Sequence, residues 1–88
     1  MKLDGSGYRF AVVASRFNSE IVDGLIGGVR SALTKAGVNW DRVPVFRVPG
    51  AFEIPLAARH LSMTDRFDAI VCLGCLIKGD TMHFEYIA

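Results

Sequence analysis

The chain lacks any run of basic residues. Ten Lys and Arg stand against nine Asp and Glu, for a net charge of +1, so it offers none of the positive patches that nucleic acids or anionic membranes require. It also lacks a long apolar run. Residues 10–14 are apolar, but that is too short for a signal-peptide core or a membrane span. The sequence therefore reads as cytosolic, with neither nucleic acid nor membrane as partner. Cysteine is scarce: Cys72 and Cys75 stand alone in a C-x-x-C spacing. Cys72 falls in an apolar strand pattern, where positions three apart point to opposite faces, so the pair does not readily bridge. Zinc would need two further ligands at suitable spacing. Both are read as free thiols, and no metal is expected. There is no internal repeat, linker or low-complexity segment.

Apolar residues, by contrast, are plentiful. They make up 51% of the 88 residues before nine Gly are counted. Small domains bury a smaller share of their surface than large ones, so this excess fits a large oligomer interface, a missing second half, or both. The chain reads as one domain over residues 1–88, truncated at its C-terminal end, where a fold of this kind is half built.

The pattern along the chain is β-α-β-α-β-α start. Residues 9–15 are read as a strand, and the continuous apolar run at 10–14 within it suits a parallel strand covered on both faces. Ile21, Val22, Leu25, Ile26, Val29, Leu33 and Ala36 then recur at helical spacing over residues 19–36. Asn18 or Ser19 can cap that helix, and Gly37 sits where its C-terminal cap belongs. Gly24, Gly27 and Gly28 inside it are read as sites of close packing on a sheet or a neighbour. A second strand covers residues 42–48, and a second helix runs from about Phe52 to Ser62 or Met63, with Pro55 tolerated in its first turn. A third strand covers residues 68–74, and a third helix is expected to start at Asp80-Thr81.

Strands and helices alternating over such short connections imply an α/β fold with a parallel sheet and helices on both faces. Ligands of such folds bind at the carboxyl ends of the strands. Those ends are Ser15 to Asn18, Pro49 to Glu53 and Leu76 to His83, and the unusual residues of the chain fall there. Phe17 is either a core plug or a stacking platform for a planar ligand. Gly50 and Ala51 let a ligand approach the backbone, followed by Phe52. Glu53 either accepts hydrogen bonds from ligand hydroxyls or only complements a helix dipole. Lys78, Gly79, Asp80 and Thr81 can hold an anion through the lysine, backbone N–H groups at a helix start and the threonine hydroxyl, although a carboxylate at Asp80 repels phosphate and fits better as an N-cap. His83 is structural or, beside an anion site, a general acid or base. His60 reads as a surface residue.

Three stretches carry a resemblance. They are Val12-Val13-Ala14-Ser15-Arg16-Phe17-Asn18, Val48-Pro49-Gly50-Ala51-Phe52-Glu53-Ile54-Pro55, and Gly74 through Ala88, with Gly79-Asp80-Thr81 and His83-Phe84 most telling. In order and spacing the chain resembles the N-terminal part of the 6,7-dimethyl-8-ribityllumazine synthase family of riboflavin biosynthesis. The resemblance implies a flavodoxin-like three-layer sandwich, of which this chain would hold the first three strands. It implies a homopentamer or a multiple of pentamers, and a transferase that uses no metal or organic cofactor. The substrates would be 5-amino-6-ribitylaminouracil and 3,4-dihydroxy-2-butanone 4-phosphate. By the same resemblance Phe17 stacks on the pyrimidine, Gly50, Ala51, Phe52 and Glu53 hold the ribityl chain, and Leu76 and Ile77 line the pyrimidine site through backbone groups. Lys78, Gly79, Asp80 and Thr81 face the phosphate, and His83 moves protons. The family continues well beyond the length of this chain, so the 88 residues by themselves are expected to be inactive.

Two rivals remain. A flavin- or phosphate-binding module of flavodoxin type would want a Ser/Thr/Gly-rich loop after the first strand, and Ser15 to Glu20 is not one. A catalytically silent, shell-forming scaffold of the same fold would not need Phe17, Glu53 and His83 together. A response-regulator receiver is disfavoured, since no acidic pair follows the first strand.

Overall fold

A computed structural model describes residues 5–78 and 80–87, with side chains for residues 5–74. The fold is organised around β1, Phe10–Ser15. From Ala11 to Ser15 every residue of that strand has no exposed surface. A strand that is apolar at successive positions must be covered on both faces, and the sheet achieves this. Strand β1 lies between β2 (Val45–Val48) and β3 (Ala69–Lys78), parallel to both, in the order β2-β1-β3-β4.

The period-two alternation of a strand then divides its side chains between two cores. Val12 and Ala14, with Val71 and Leu73 of β3, pack under Val22 and Val29 of helix α1, Ser19–Lys35. Val13, Ile70 and Cys72 pack on the other face against Ile54, Ala57, Ala58 and Leu61 of helix α2, Ile54–Ser62. Helix, sheet and helix form the three layers of an α/β fold. Each fully buried Val or Leu, among them Val12, Val13, Val22 and Leu73, contributes about 1.5–3 kcal/mol of transfer free energy.

Helix α1 ends as its sequence suggests. Gly37 takes a left-handed φ of 92°. Its N–H donates to Thr34 O at 3.1 Å, and the Val38 N–H donates to Leu33 O at 2.9 Å. These two bonds satisfy carbonyls that the last turn would leave open. The helix start differs from expectation. Asn18 occupies the N-cap position with φ 55°, but its side chain makes no capping bond.

Other bounds also move. Strand β2 begins at Val45 rather than at residue 42, because Trp40–Arg42 form a 3-10 turn. Asn39 Oδ1 accepts the Asp41 N–H at 3.1 Å, which favours the turn over an extended chain. Pro44 has no N–H to give a ladder, yet its carbonyl accepts the Val12 N–H at 2.9 Å. Helix α2 starts at Ile54, with Ala51–Glu53 ahead of it as another 3-10 turn. Gly24, Gly27 and Gly28 do not mark close packing on the sheet, since a Cβ built at any of them meets nothing within 4 Å. They lie on the exposed side of α1.

The largest correction concerns the end of the chain. The helix expected to start at Asp80-Thr81 is absent. Residues Asp80–Ile87 form strand β4, antiparallel to β3, and β3 itself runs on to Lys78. The sheet is therefore parallel over three strands and antiparallel at the fourth. The physical reason is the free edge of β3. With β1 on one side, its other row of N–H and C=O groups needs a partner. The segment that follows is rich in strand formers, Thr81, Phe84, Tyr86 and Ile87. Among the described residues no helix is long and apolar enough to cross a membrane.

Candidate active site

The register of the sheet brings two of the three expected loops side by side. Ser15 and Val48, the last residues of β1 and β2, are paired, and the Arg16 N–H donates to Val48 O at 2.7 Å. Beyond that bond β1 turns sharply. The Phe17 N–H donates to Ser15 Oγ at 3.0 Å, Asn18 is left-handed, and Asn18 O accepts the Val22 N–H at 3.0 Å to open α1. Phe17 emerges 53% exposed, which excludes the core-plug reading. A half-exposed ring at a strand's carboxyl end can take a planar ligand on its face.

From β2 the chain passes through Gly50 into the turn at Ala51–Glu53. The Glu53 N–H donates to Gly50 O at 3.2 Å. Phe52 is 86% exposed and belongs to neither core. Glu53 stands at the N-cap position of α2, but its carboxylate makes no capping bond to the helix. It instead folds back over Gly50, where an added Cβ would come within 3.2 Å of Glu53 Oε2. Gly50 has φ −149°, a conformation open to any residue, so what glycine supplies there is space. Among the described residues Glu53 joins no ion pair, which leaves its oxygens available to accept from a ligand.

The third group is placed differently from expectation. Leu76, Ile77 and Lys78 lie in β3, and Asp80, Thr81 and His83 in β4, with the backbone pairs Cys75↔His83, Leu76↔Met82, Ile77↔Thr81 and Lys78↔Asp80. Gly79 lies outside the described residues. A strand replaces the helix start, so the unpaired N–H groups that make a helix N-terminus an anion site are not provided by residues 80–83. The last β1–β3 pair is Ala14↔Leu73, so residues 75–78 run beyond the carboxyl end of β1. The backbone of His83, opposite Cys75, lies at the same end of the sheet as Phe17 and Glu53.

Two residues that join this site were not singled out from sequence. Ser15 is fully buried, yet its hydroxyl oxygen holds the Phe17 loop. The available signal was a lone hydroxyl closing an apolar strand. Gly74 sits in β3 against the second loop, where an added Cβ would lie 2.8 Å from Ile54 Cδ1 and 3.2 Å from Ala51 Cβ. A glycine inside a strand pattern often marks such a close approach.

The other polar features lie elsewhere. At the start of β1 the Arg9 N–H donates to Asp68 Oδ2 at 2.7 Å and the Arg9 guanidinium pairs with the same carboxylate at 3.4 Å. The backbone bond first, and the guanidinium second, hold the Asp68 carboxyl below its ordinary pKa. Burial pushes the Cys72 thiol up, and Cys72 is free. Arg47 pairs with Asp23 of α1 at 3.1 Å. A cleft between Tyr8, Phe10, Val38, Asn39 and Arg42 opens at the amino ends of the strands, the wrong end for the ligand site of an open α/β sheet. Among the described residues no three His, Cys, Asp or Glu side chains gather as metal ligands would. His60 is exposed on α2, as expected.

Residues 7–88 match the 6,7-dimethyl-8-ribityllumazine synthase family. Over 87 residues, 99% of the chain, the sequence is 45% identical to the 6,7-dimethyl-8-ribityllumazine synthase of Syntrophus aciditrophicus (strain SB), of which it covers 56%. The chain thus spans about half the length of that curated relative. The matched region contains β1 with the Phe17 loop, the Gly50–Glu53 turn and both strands of the β3–β4 pair. An α/β fold, adjoining loops at the carboxyl ends of β1 and β2, and a family match over nearly every residue agree with one another: the chain belongs to the 6,7-dimethyl-8-ribityllumazine synthase family.

Proposed function

We propose that this chain supplies the pyrimidine and ribityl subsites of a lumazine synthase, a transferase that condenses 5-amino-6-ribitylaminouracil with 3,4-dihydroxy-2-butanone 4-phosphate. The observation that carries the reading is the juxtaposition of two exposed loops on paired strand ends. One presents the half-exposed Phe17 ring, and the other presents Ala51, Phe52 and a Glu53 carboxylate that joins no ion pair among the described residues. A flat heterocycle bearing a polyhydroxyl chain needs just those two kinds of surface.

In this reading the Phe17 ring stacks on the pyrimidine, and the backbone of Leu76 and Ile77 completes that subsite. Gly50, Ala51 and Phe52 admit the ribityl chain, and Glu53 accepts hydrogen bonds from its hydroxyls. Lys78 supplies charge, and Gly79, Asp80 and Thr81 polar contacts, for the phosphate of the second substrate. The ring amine attacks the ketone and water leaves as the imine forms. Loss of phosphate follows, and ring closure expels a second water. Each of these steps moves protons, and an imidazole is the side chain type suited to carry them near neutral pH, which His83 supplies.

The working unit is a homo-oligomer, a pentamer or a multiple of pentamers, in the cytoplasm. The exposed Phe52, Leu56 and Met63, with the open glycine face of α1, support an interface with further copies.

The test is turnover with both substrates, with these residues carried in a full-length synthase chain, followed by the absorbance of the lumazine product. Phe17→Ser should raise KM for the ribitylaminouracil about tenfold, the scale of one lost base–aromatic stack. His83→Ala should lower kcat about 10²-fold or more. Unchanged kinetics in both variants would refute the site. A tight flavin complex without turnover would favour a binding module instead, and a large assembly with no turnover a silent scaffold.

A further inference from the structure

Resting on the site reading above, we propose that Ser15 is a positioning residue: its buried hydroxyl sets the direction in which Phe17 is presented to the pyrimidine. Among the described residues Ser15 is the sole polar side chain that is fully buried. Every other residue of β1 from Ala11 onward is apolar, so packing alone would be served by alanine. A hydroxyl withdrawn from water is costly unless it is hydrogen-bonded, and the partner it has is the Phe17 N–H at 3.0 Å.

That bond completes a chain of constraints. The Arg16 N–H is held by Val48 O at 2.7 Å, the Phe17 N–H by Ser15 Oγ, and Asn18 O by the Val22 N–H at 3.0 Å. Between these points Asn18 adopts φ 55°. A non-glycine residue keeps such a conformation when its surroundings over-determine it. The Phe17 ring is half exposed and is not a member of either core cluster, so the backbone bonds of its loop are what bear on its direction among the described residues. Without the Ser15 oxygen, the Phe17 N–H loses its intramolecular acceptor, and the ring gains freedom that ligand binding must then remove. The effect falls on binding and leaves the chemical step alone.

The test compares Ser15→Ala with the unsubstituted protein. Amide hydrogen exchange by NMR reads the Phe17 N–H directly, and calorimetric titration with 5-amino-6-ribitylaminouracil alone reads Kd without turnover. Val29→Ala, in the core beneath α1 and away from the loop, controls for lost stability. Ser15→Ala should speed exchange at Phe17 at least tenfold relative to Val12 and Val13. It should weaken Kd about fivefold, the scale of one neutral hydrogen bond. Val29→Ala should lower Tm and leave both readouts in place. An unmoved Phe17 amide overturns the proposal, and so does a faster amide with unchanged Kd, which would make Ser15 merely structural. An unsubstituted protein that does not bind the ribitylaminouracil overturns the functional reading and this proposal with it, whereas normal binding with an unmoved amide overturns this proposal alone.

Discussion

Replacing Gly74 by alanine should damage the protein through a contact that can be named and then relieved. The added Cβ would lie 2.8 Å from Ile54 Cδ1 and 3.2 Å from Ala51 Cβ. Carbon atoms pack best at roughly 3.5–4.0 Å, so the first contact is too short by about 0.7 Å or more and the second by about 0.3 Å or more. The two are not equally hard to relieve. Ile54 Cδ1 ends a rotatable side chain and can swing aside, while Ala51 Cβ is fixed to the backbone of the turn that carries Phe52 and Glu53. Overpacking of this size costs about 1–3 kcal/mol. In urea titration Gly74→Ala should lower the midpoint with an unchanged m-value. Ile54→Val removes the very methyl that clashes. Alone it should cost about 1 kcal/mol for its lost methylene. Combined with Gly74→Ala it should cost less than that, leaving the pair better than the sum of the single variants by at least about 0.5 kcal/mol. A Gly74→Ala protein as stable as the original, or a strictly additive pair, would refute the packing assigned to this strand–turn contact.

Other outcomes follow from the same structure. Gly37→Ala should destabilise by about 1–2 kcal/mol, because φ 92° is left-handed and penalises a Cβ; thermal unfolding reads it. Asp68 has its pKa lowered by Arg9, so its stabilising effect is present above the ordinary carboxylate pKa and is lost as pH falls through the lowered value. Acid titration of Tm below about pH 4 should therefore show a drop that Asp68→Asn lacks. The Cys72 thiol, buried and raised in pKa, should resist alkylation at neutral pH in the folded protein and react on unfolding, as peptide mass mapping would show.

What could be read from the sequence was what depends on local pattern. The uninterrupted apolar run of β1 pointed to a strand buried on both faces, and the recurrence of Val22, Leu25, Ile26, Val29 and Leu33 pointed to α1. Gly37 announced its own cap, because no other residue takes that backbone angle at so little cost. The exposed loops at Phe17 and at Gly50 to Glu53 followed from topology, since both strand ends fall on one edge of the sheet.

What escaped the sequence depends on partners distant along the chain. Asp80-Thr81 followed by His83 reads locally as a capped helix start, but the free edge of β3 takes the segment as a strand instead. The glycines of α1 suggested close packing on the sheet or a neighbour, and only the packed structure shows them facing away from the sheet. Ser15 looked like the end of a strand, and a lone hydroxyl closing an apolar run does not by itself tell that its oxygen turns inward to hold Phe17. Gly74 adjoins the turn that carries Phe52 and Glu53 only because Ala51 and Ile54, some twenty positions earlier, come to rest against it.

The most direct test of where this protein binds its substrate is an NMR titration of the isotopically labelled protein with 5-amino-6-ribitylaminouracil, read residue by residue at the backbone amides. Shift changes gathered at Arg16, Phe17 and Asn18 and at Gly50 to Glu53 are the predicted result. Changes gathered instead around Tyr8, Val38, Asn39 and Arg42, at the amino ends of the strands, or no changes at saturating ligand, would contradict it.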